Sequence, residues 1–163
     1  PDELLKAVRE AIVPQVFVVH GQDEDAKTAV VLFLEKSKLR PIVLRDQPSE
    51  GRTIIEKFEE YSSVSFAIIL LTPDDVGARR GKALKLQPRA RQNVIFELGF
   101  FVGALGRKRV SVLSRQEKKS IEIPSDYEGV QYISMDTSER WHQELAREIR
   151  QAGIKLDTSW RTY

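Results

Sequence analysis

The run SFAIILL at residues 65–71 decides the fold. A short, uncharged and almost wholly apolar run is typical of a strand that is covered on both faces. Comparable runs precede it, VFVVH at 16–20 and PIVL at 41–44, and others follow it, RVSVLS at 109–114 and VQYISM at 130–135. We therefore predict five strands.

Helical patterns separate most of these strands. They occupy residues 23–38, 51–62, 91–106 and about 139–152. Because parallel strands need crossover connections, and the crossovers cover the sheet, this alternation predicts a parallel sheet with helices on both faces. We expect a flavodoxin-like α/β fold with five strands in the order 2-1-3-4-5.

The chain of 163 residues has the size of one ordinary domain. We place that domain at residues 15–155, after a leading helix or linker at 1–14 and before a tail at 156–163. The first residue is Pro1 rather than Met. We therefore expect this sequence to be a piece of a longer protein.

Composition argues against several classes of protein. The net charge of +2 is too small to attract nucleic acid or membranes in bulk, and the absence of cysteine removes disulfides and thiolate nucleophiles. Two histidines are too few for most zinc sites, and no apolar run approaches the roughly 20 residues of a membrane span. We expect a cytoplasmic protein without a metal, a membrane partner or a nucleic-acid partner.

The predicted sheet directs the search for a site to the carboxyl ends of its strands, near the point where strand order reverses. The segment HGQDEDAK at 20–27 follows the first strand there, but it lacks a phosphate-binding glycine motif and crowds acids where an anion would bind. These acids either cap the next helix or bind hydroxyl groups such as those of a ribose. The residues at these strand ends are His20, Gly21, Asp23, Arg45, Asp46, Thr72, Pro73, Asp74 and Asp75.

Two basic segments have competing interpretations. Arg45 and Arg52 lie near a predicted helix start, where Ser49 is the expected cap, and they either hold a pyrophosphate or are ordinary solvated arginines. Residues 79–91 contain six basic side chains and no acid. Since no aromatic residue is interleaved to stack on bases, we interpret this stretch as a mobile, solvated loop able to close over a ligand rather than as a nucleic-acid patch.

The helix RQNVIFELGFFVGALG at 91–106 is apolar on every side. This pattern predicts that no face of the helix meets water. Gly99 and Gly103, four residues apart, are expected to let a neighbouring element approach closely.

One carboxylate, Glu97, stands in the middle of this apolar helix. Asn93 lies one turn earlier on the same face, so both side chains are placed to point into the crevice at the carboxyl ends of the strands. Glu97 is either a partly desolvated site residue or a structural acid paired with an arginine such as Arg91 or Arg45.

Three blocks of the chain, in order, are VFVVHGQDEDAK, LRDQPSEGRTIIEKFEEYSSVSFAIILLTPDDVG and RARQNVIFELGFFVGALGR. Together they resemble the bacterial TIR-like family of predicted nucleotide-binding proteins, which includes TIR effectors of anti-phage signalling systems. The resemblance extends from about residue 16 to residue 149. It implies a TIR fold and, in the enzymatically active members, cleavage of the nicotinamide–ribose bond of NAD+.

The resemblance also implies roles for particular residues. The family's catalytic glutamate falls on Glu97, the loop from His20 to Asp23 contributes to the nucleotide pocket, and residues 45–53 match the loop that mediates contacts between TIR domains. NAD+ is then the substrate, no separate cofactor is expected, and a sensor domain is expected in the same chain. Asn93 departs from the pattern, because many TIR enzymes carry a tryptophan there. The candidate substrate-binding residues are His20, Gly21, Asp23, Arg45, Arg52, Asp74 and Asn93.

The expected activity is an NAD+ glycohydrolase. Its positively charged nicotinamide departs as a neutral molecule, so the reaction needs a negative charge near an oxocarbenium-like centre and partners for the ribose hydroxyls. One carboxylate can supply that charge. Two alternatives stay open: a non-catalytic TIR scaffold that assembles through residues 45–53, and an enzyme like the nucleoside deoxyribosyltransferases, which share the sheet architecture.

Overall fold

A computed structural model of the chain describes residues 2–5, 13–44, 53–61, 64–81, 85–115, 121–124 and 129–160. The strands in that part of the chain are β1 (Gln15–Val19), β2 (Arg40–Val43), β3 (Phe66–Leu71), β4 (Asp75–Gly77), β5 (Gln87–Arg89), β6 (Val110–Ser114) and β7 (Gln131–Ser134). The main helices are α1 (Glu24–Lys36), α2 (Ile54–Glu60), α3 (Gln92–Leu105) and α4 (Arg140–Gln151). Residues 2–5 are also helical. Residues 13 and 14 are described but not helical, and the rest of the predicted leading segment at 1–14 lies outside the described residues.

The central sheet has the strand order β2-β1-β3-β6-β7, and every neighbouring pair is parallel. Because β6 and β7 are the fourth and fifth strands of this sheet, the predicted order 2-1-3-4-5 is confirmed. The chain leaves β1 toward one edge of the sheet and returns to place β3 on the other side of β1. Strand order therefore reverses between β1 and β3.

Strand β3 lies at the centre of the sheet, between β1 and β6. All six of its residues are buried, as the unbroken apolar run predicted. Its side chains alternate between two core clusters, with Phe66, Ile68 and Leu70 on one face. The alternate residues Ala67, Ile69 and Leu71 belong to the cluster on the other face.

Each face of the sheet has its own helices. On one face, α1 and α4 bury side chains at helical spacing, such as Val30 of α1 and Leu145 of α4. On the other face, α3 buries Val94, Leu98 and Phe101, and Phe58 of α2 packs against the same cluster. The prediction of helices on both faces is thus confirmed. None of the described helices is long and apolar enough to cross a membrane.

A two-stranded antiparallel sheet follows β3, in which Val76 of β4 lies opposite Pro88 of β5. The interpretation of residues 79–91 as a solvated loop is therefore wrong for residues 87–89, which form β5. Each strand is only three residues long and one contains a proline, so neither showed the alternation of apolar and polar residues that marks a strand. Residues 82–84 lie outside the described part.

Helix α3 is covered on one side only. Phe96 is 62% exposed, and a Cβ atom added at Gly103 would meet nothing within 4 Å. The predictions that no face of this helix meets water, and that Gly103 admits a close neighbour, are both wrong. The apolar composition was misleading because the helix lies on the sheet and no second described layer covers its outer side.

Helix α2 begins later than predicted. Thr53 is its N-cap: its hydroxyl accepts from the Glu56 backbone N–H, while the Glu56 carboxylate accepts from the Thr53 backbone N–H at 2.6 Å. This reciprocal pair satisfies two backbone donors that the first turn of a helix leaves open. The expected cap, Ser49, lies outside the described residues and four positions before the observed one.

Candidate functional site

The point where strand order reverses is the carboxyl end of the adjacent strands β1 and β3, where Val19 pairs with Ile69. Ligands of open parallel sheets bind at such a point. His20 follows β1 and is 6% exposed, and Thr72 follows β3 and is 2% exposed. The loop after β1, with His20, and the loop after β3, with Thr72, thus lie side by side.

Asp74 joins these two loops. Its Oδ2 atom accepts hydrogen bonds from the Gln22 backbone N–H at 3.0 Å and from the Thr72 hydroxyl at 2.8 Å. Gly21 makes the contact possible, because a Cβ atom at this position would lie 1.8 Å from the same oxygen. Two of the predicted site residues, Gly21 and Asp74, are therefore in direct contact, and Asp74 shapes the loop after β1.

Asp23 holds the start of α1. Its Oδ1 atom accepts from the Ala26 backbone N–H at 2.9 Å, and both carboxylate oxygens accept from Arg115 Nη1, at 3.0 and 2.9 Å. Of the two interpretations left open for this acid, the geometry shows the helix cap. Its ion-pair partner is not among the predicted site residues. Arg115 follows β6 directly, so the same rule about strand ends would have found it had we applied it to the fourth strand of the sheet.

Glu97 lies on one flank of α3, in the second turn of the helix. The helix begins at residue 92 near the carboxyl ends of the strands, so Glu97 is about 7.5 Å along its axis. The side chain is half-buried, whereas Asn93, one turn earlier on the same flank, is exposed. Glu97 is therefore neither sealed in the core nor fully solvated.

The surroundings of this flank are aromatic. Phe100 contacts Phe58 of α2 with ring centroids 5.3 Å apart, and Phe101 contacts Phe17 of β1 at 5.0 Å. These contacts place α2 and β1 beside the side of α3 that carries Glu97. Apolar neighbours raise the free energy of a carboxylate that has lost part of its water, and they strengthen its attraction to a nearby positive charge.

The start of α3 adds a local positive potential. Its N-cap, Arg91, makes no side-chain capping hydrogen bond, and the first turn contains no acid. The first backbone N–H groups of a helix lack partners within the helix, and the helix dipole makes this end favourable for negative groups. A ligand with an anionic part near this end and a cationic part near Glu97 would match the helix.

Two predicted substrate-binding residues, Arg45 and Arg52, lie outside the described residues, together with most of the 45–53 loop. Within the described part, no cluster of three or more histidines, aspartates or glutamates is placed to hold a metal ion. The structure thus forms two groups from the predicted residues. One is the pair of loops with Gly21 and Asp74, and the other is the α3 flank with Asn93 and Glu97.

Comparison with known proteins assigns this arrangement to a family. The family model of the CAP12/Pycsar effector protein TIR domain matches residues 15–137. The chain belongs to this TIR-domain family. The predicted membership of a bacterial TIR-like family and the predicted TIR fold are both confirmed.

Relatives of this TIR domain include longer proteins. It is 46% identical over 153 residues to the uncharacterised protein YuaY of Escherichia coli, a match that covers 93% of this chain and 50% of YuaY. It is 33% identical over 127 residues to protein tirC of Dictyostelium discoideum, covering 74% of the chain and 63% of tirC. The Pycsar effector protein BcPycTIR of Burkholderia cepacia is 40% identical over 74 residues, covering 45% of the chain and 23% of that protein.

Proposed function

We propose that this TIR domain is an NAD+ glycohydrolase, and that Glu97 is its catalytic residue. The observation that carries the proposal is the half-buried Glu97 on the aromatic flank of α3, one turn after Asn93. The membership of the TIR family supports it. The deoxyribosyltransferase alternative has no comparable support, because the family match assigns the sheet to a TIR domain.

The proposed reaction breaks the bond between C1′ of the ribose and the nicotinamide nitrogen. The nicotinamide leaves with the electron pair of that bond and becomes neutral, while the ribose becomes an oxocarbenium-like cation. The Glu97 carboxylate stabilises this cation, and its partial desolvation makes the stabilisation stronger than it would be in water. Water then adds to C1′ and releases a proton, which gives ADP-ribose; attack by the adenine of the same molecule would give a cyclic product.

Other residues of the site would position the substrate. The Asn93 amide can both donate to and accept from ribose hydroxyls, since it lies on the same flank as Glu97 and is exposed. The Gln22–Asp74–Thr72 contacts hold the loop after β1 in one shape before the substrate arrives, which reduces the entropy lost on binding. Arg45 and Arg52 keep their proposed role as partners of the pyrophosphate.

The direct test replaces Glu97 by glutamine, which keeps the shape of the side chain and removes its charge. We expect nicotinamide release from NAD+, measured by chromatography with a crowding agent present, to fall by at least about 100-fold. The thermal melt should change little. Glu35→Gln, at an exposed site on α1 across the sheet, is the matched control. Unchanged release by Glu97→Gln would refute the role of Glu97.

A scaffold function is the second candidate, and two exposed apolar side chains favour it. Ile55 of α2 is 48% exposed and Phe96 of α3 is 62% exposed, both on the helices of the Glu97 face. Ile55 lies just after the 45–53 loop, so we propose that this side of the domain takes part in homotypic assembly. Light scattering at increasing concentration tests this. Oligomers without any loss of NAD+ would favour the scaffold, and Ile55→Ser should reduce the oligomers.

We further propose that the domain is the effector part of a longer anti-phage protein of the cytoplasm, with a sensor domain in the same chain. The chain spans about half the length of YuaY, and BcPycTIR is named as a Pycsar effector. Phage infection of cells that express the full-length protein tests this proposal. Protection should be lost with Glu97→Gln if NAD+ cleavage is the effector activity.

A further inference from the structure

A hollow on the opposite face of the sheet has no part in the proposed reaction. It lies between α1 and the start of α4 and has a volume of about 840 Å³, within the range of small-molecule sites. Helix α1 lines it from Asp25 to Lys36, a length of about 16 Å. Helices α1 and α4 pack on one core cluster and α3 packs on the other, so the sheet separates this cleft from Glu97.

Aromatic rings form the floor of this α1–α4 cleft. The His142 ring stacks on Phe33 at 5.3 Å with an interplanar angle of 11°, and Trp141 contacts His142 at 3.9 Å. Trp160 meets His142 edge-on at 5.9 Å. Trp141 and Trp160 are the two tryptophans of the chain, and both line the cleft.

The charges on the cleft walls are mostly negative. Three carboxylates line it, from Asp25, Asp136 and Glu139, together with the bases Lys36 and Arg115. The charge of Arg115 is balanced by Asp23, at 2.9 Å. Hydrogen bonds from Ser138 lower the pKa of Asp136 below its usual value. A positive group is therefore favoured in the cleft and a negative group is opposed.

Two details show how a cation would fit. Lys36 Nζ already lies over the Trp160 ring, 5.3 Å from its centroid, so this ring face accepts a positive charge. Glu139 has a left-handed backbone, with φ 55°, and its side chain is 72% exposed at the cleft. This conformation is unfavourable for a residue with a side chain, and the fold retains it where the carboxylate lines the cleft.

We propose that the α1–α4 cleft is a second ligand site, which binds a planar heteroaromatic cation. The ring would replace Lys36 over the face of Trp160. Its charge would be attracted by this aromatic face and by the carboxylates of Asp25 and Glu139. The proposal does not depend on NAD+ cleavage. It also explains why acidic side chains surround an aromatic floor here.

Three probes with one ring and different charges test the proposal. They are 1-methylnicotinamide, a cation; nicotinamide, which is neutral; and nicotinate, an anion. The two tryptophan indole N–H signals in a nitrogen–proton NMR spectrum report on this cleft, and Trp160→Phe assigns them. We expect a saturable shift with the cation, binding about tenfold weaker for nicotinamide, and no shift with nicotinate.

Variants locate the site and separate it from the Glu97 site. Asp25→Asn combined with Glu139→Gln should weaken binding of the cation about tenfold, whereas Lys36→Gln should strengthen it, because the internal competitor for Trp160 is lost. Glu59→Gln, an exposed acid on α2, is the matched control and should change nothing. Glu97→Gln should also leave the indole shifts unchanged. Equal shifts with all three probes, a shift that does not saturate, or no shift with the cation would overturn the proposal.

Discussion

The loops after β1 and β3 differ from helix α3 in how they use their carboxylates. Asp23 and Asp74 both bind other parts of the protein: Asp23 caps α1 and binds Arg115, and Asp74 accepts from Gln22 and Thr72. Glu97 lies in an apolar helix beside aromatic rings, and it is half-buried. The acids that follow strands thus hold the two loops together, whereas the acid in the apolar helix is the one to which we assign the proposed chemistry.

The largest effect is expected for Gly21→Ala, which tests whether Asp74 holds the loops after β1 and β3 together. The new Cβ would overlap Asp74 Oδ2, so either the loop or the Asp74 side chain must shift. We expect a loss of about 1–3 kcal/mol in the free energy of unfolding, measured with urea. A variant that is as stable as the parent would show that the two loops are not held together in this way.

A smaller effect is expected at Asp23, where two substitutions separate its two contacts. Asp23→Ala removes both the cap of α1 and the ion pair with Arg115, and it should cost about 1–2 kcal/mol of unfolding free energy. Asp23→Asn keeps a capping side chain, so it should cost less than about 1 kcal/mol. Equal losses in the two urea titrations would mean that the ion pair, not the cap, is the important contact.

The smallest effect is expected for Gly103→Ala in α3, and this change should raise the free energy of unfolding rather than lower it. Gly103 lies inside the helix with open space around it, so Gly103→Ala meets no steric conflict. We expect a gain of up to about 1 kcal/mol, because alanine loses less backbone entropy in a helix than glycine does. A loss of stability in the same urea experiment would reveal a close neighbour at Gly103 after all.

The fold could be predicted where the sequence contained unbroken runs of apolar residues. The run at 65–71 became the central strand, and the order of the five-stranded sheet followed from alternating strands and helices. The β4–β5 hairpin was missed because its strands are too short to show a pattern. The start of α2 was misplaced because Ser49 and Thr53 are both capping residues. The Glu three positions after Thr53 was the signal that would have decided between them.

The candidate site was predictable in its position but not in its contacts. The carboxyl ends of β1 and β3 could be found from the predicted topology. Glu97 could be found as the one acid in an apolar helical sequence. Sequence order could not show that Asp23 would meet a residue 92 positions away, Arg115. Nor could an apolar helix reveal which of its sides the sheet would leave open, since Phe96 and Phe101 look alike in sequence and differ in burial.

The burial of β3 determines how slowly its amide protons exchange with solvent. Both edges of this strand are paired and all six side chains are covered, so its amide protons can meet water only when the sheet itself comes apart. Deuterium should therefore enter Phe66–Leu71 last of all. Thr72 and Asp74 follow directly from this slowest segment, so the loop after β3, which we assign to the substrate site, is anchored in the most persistent part of the domain.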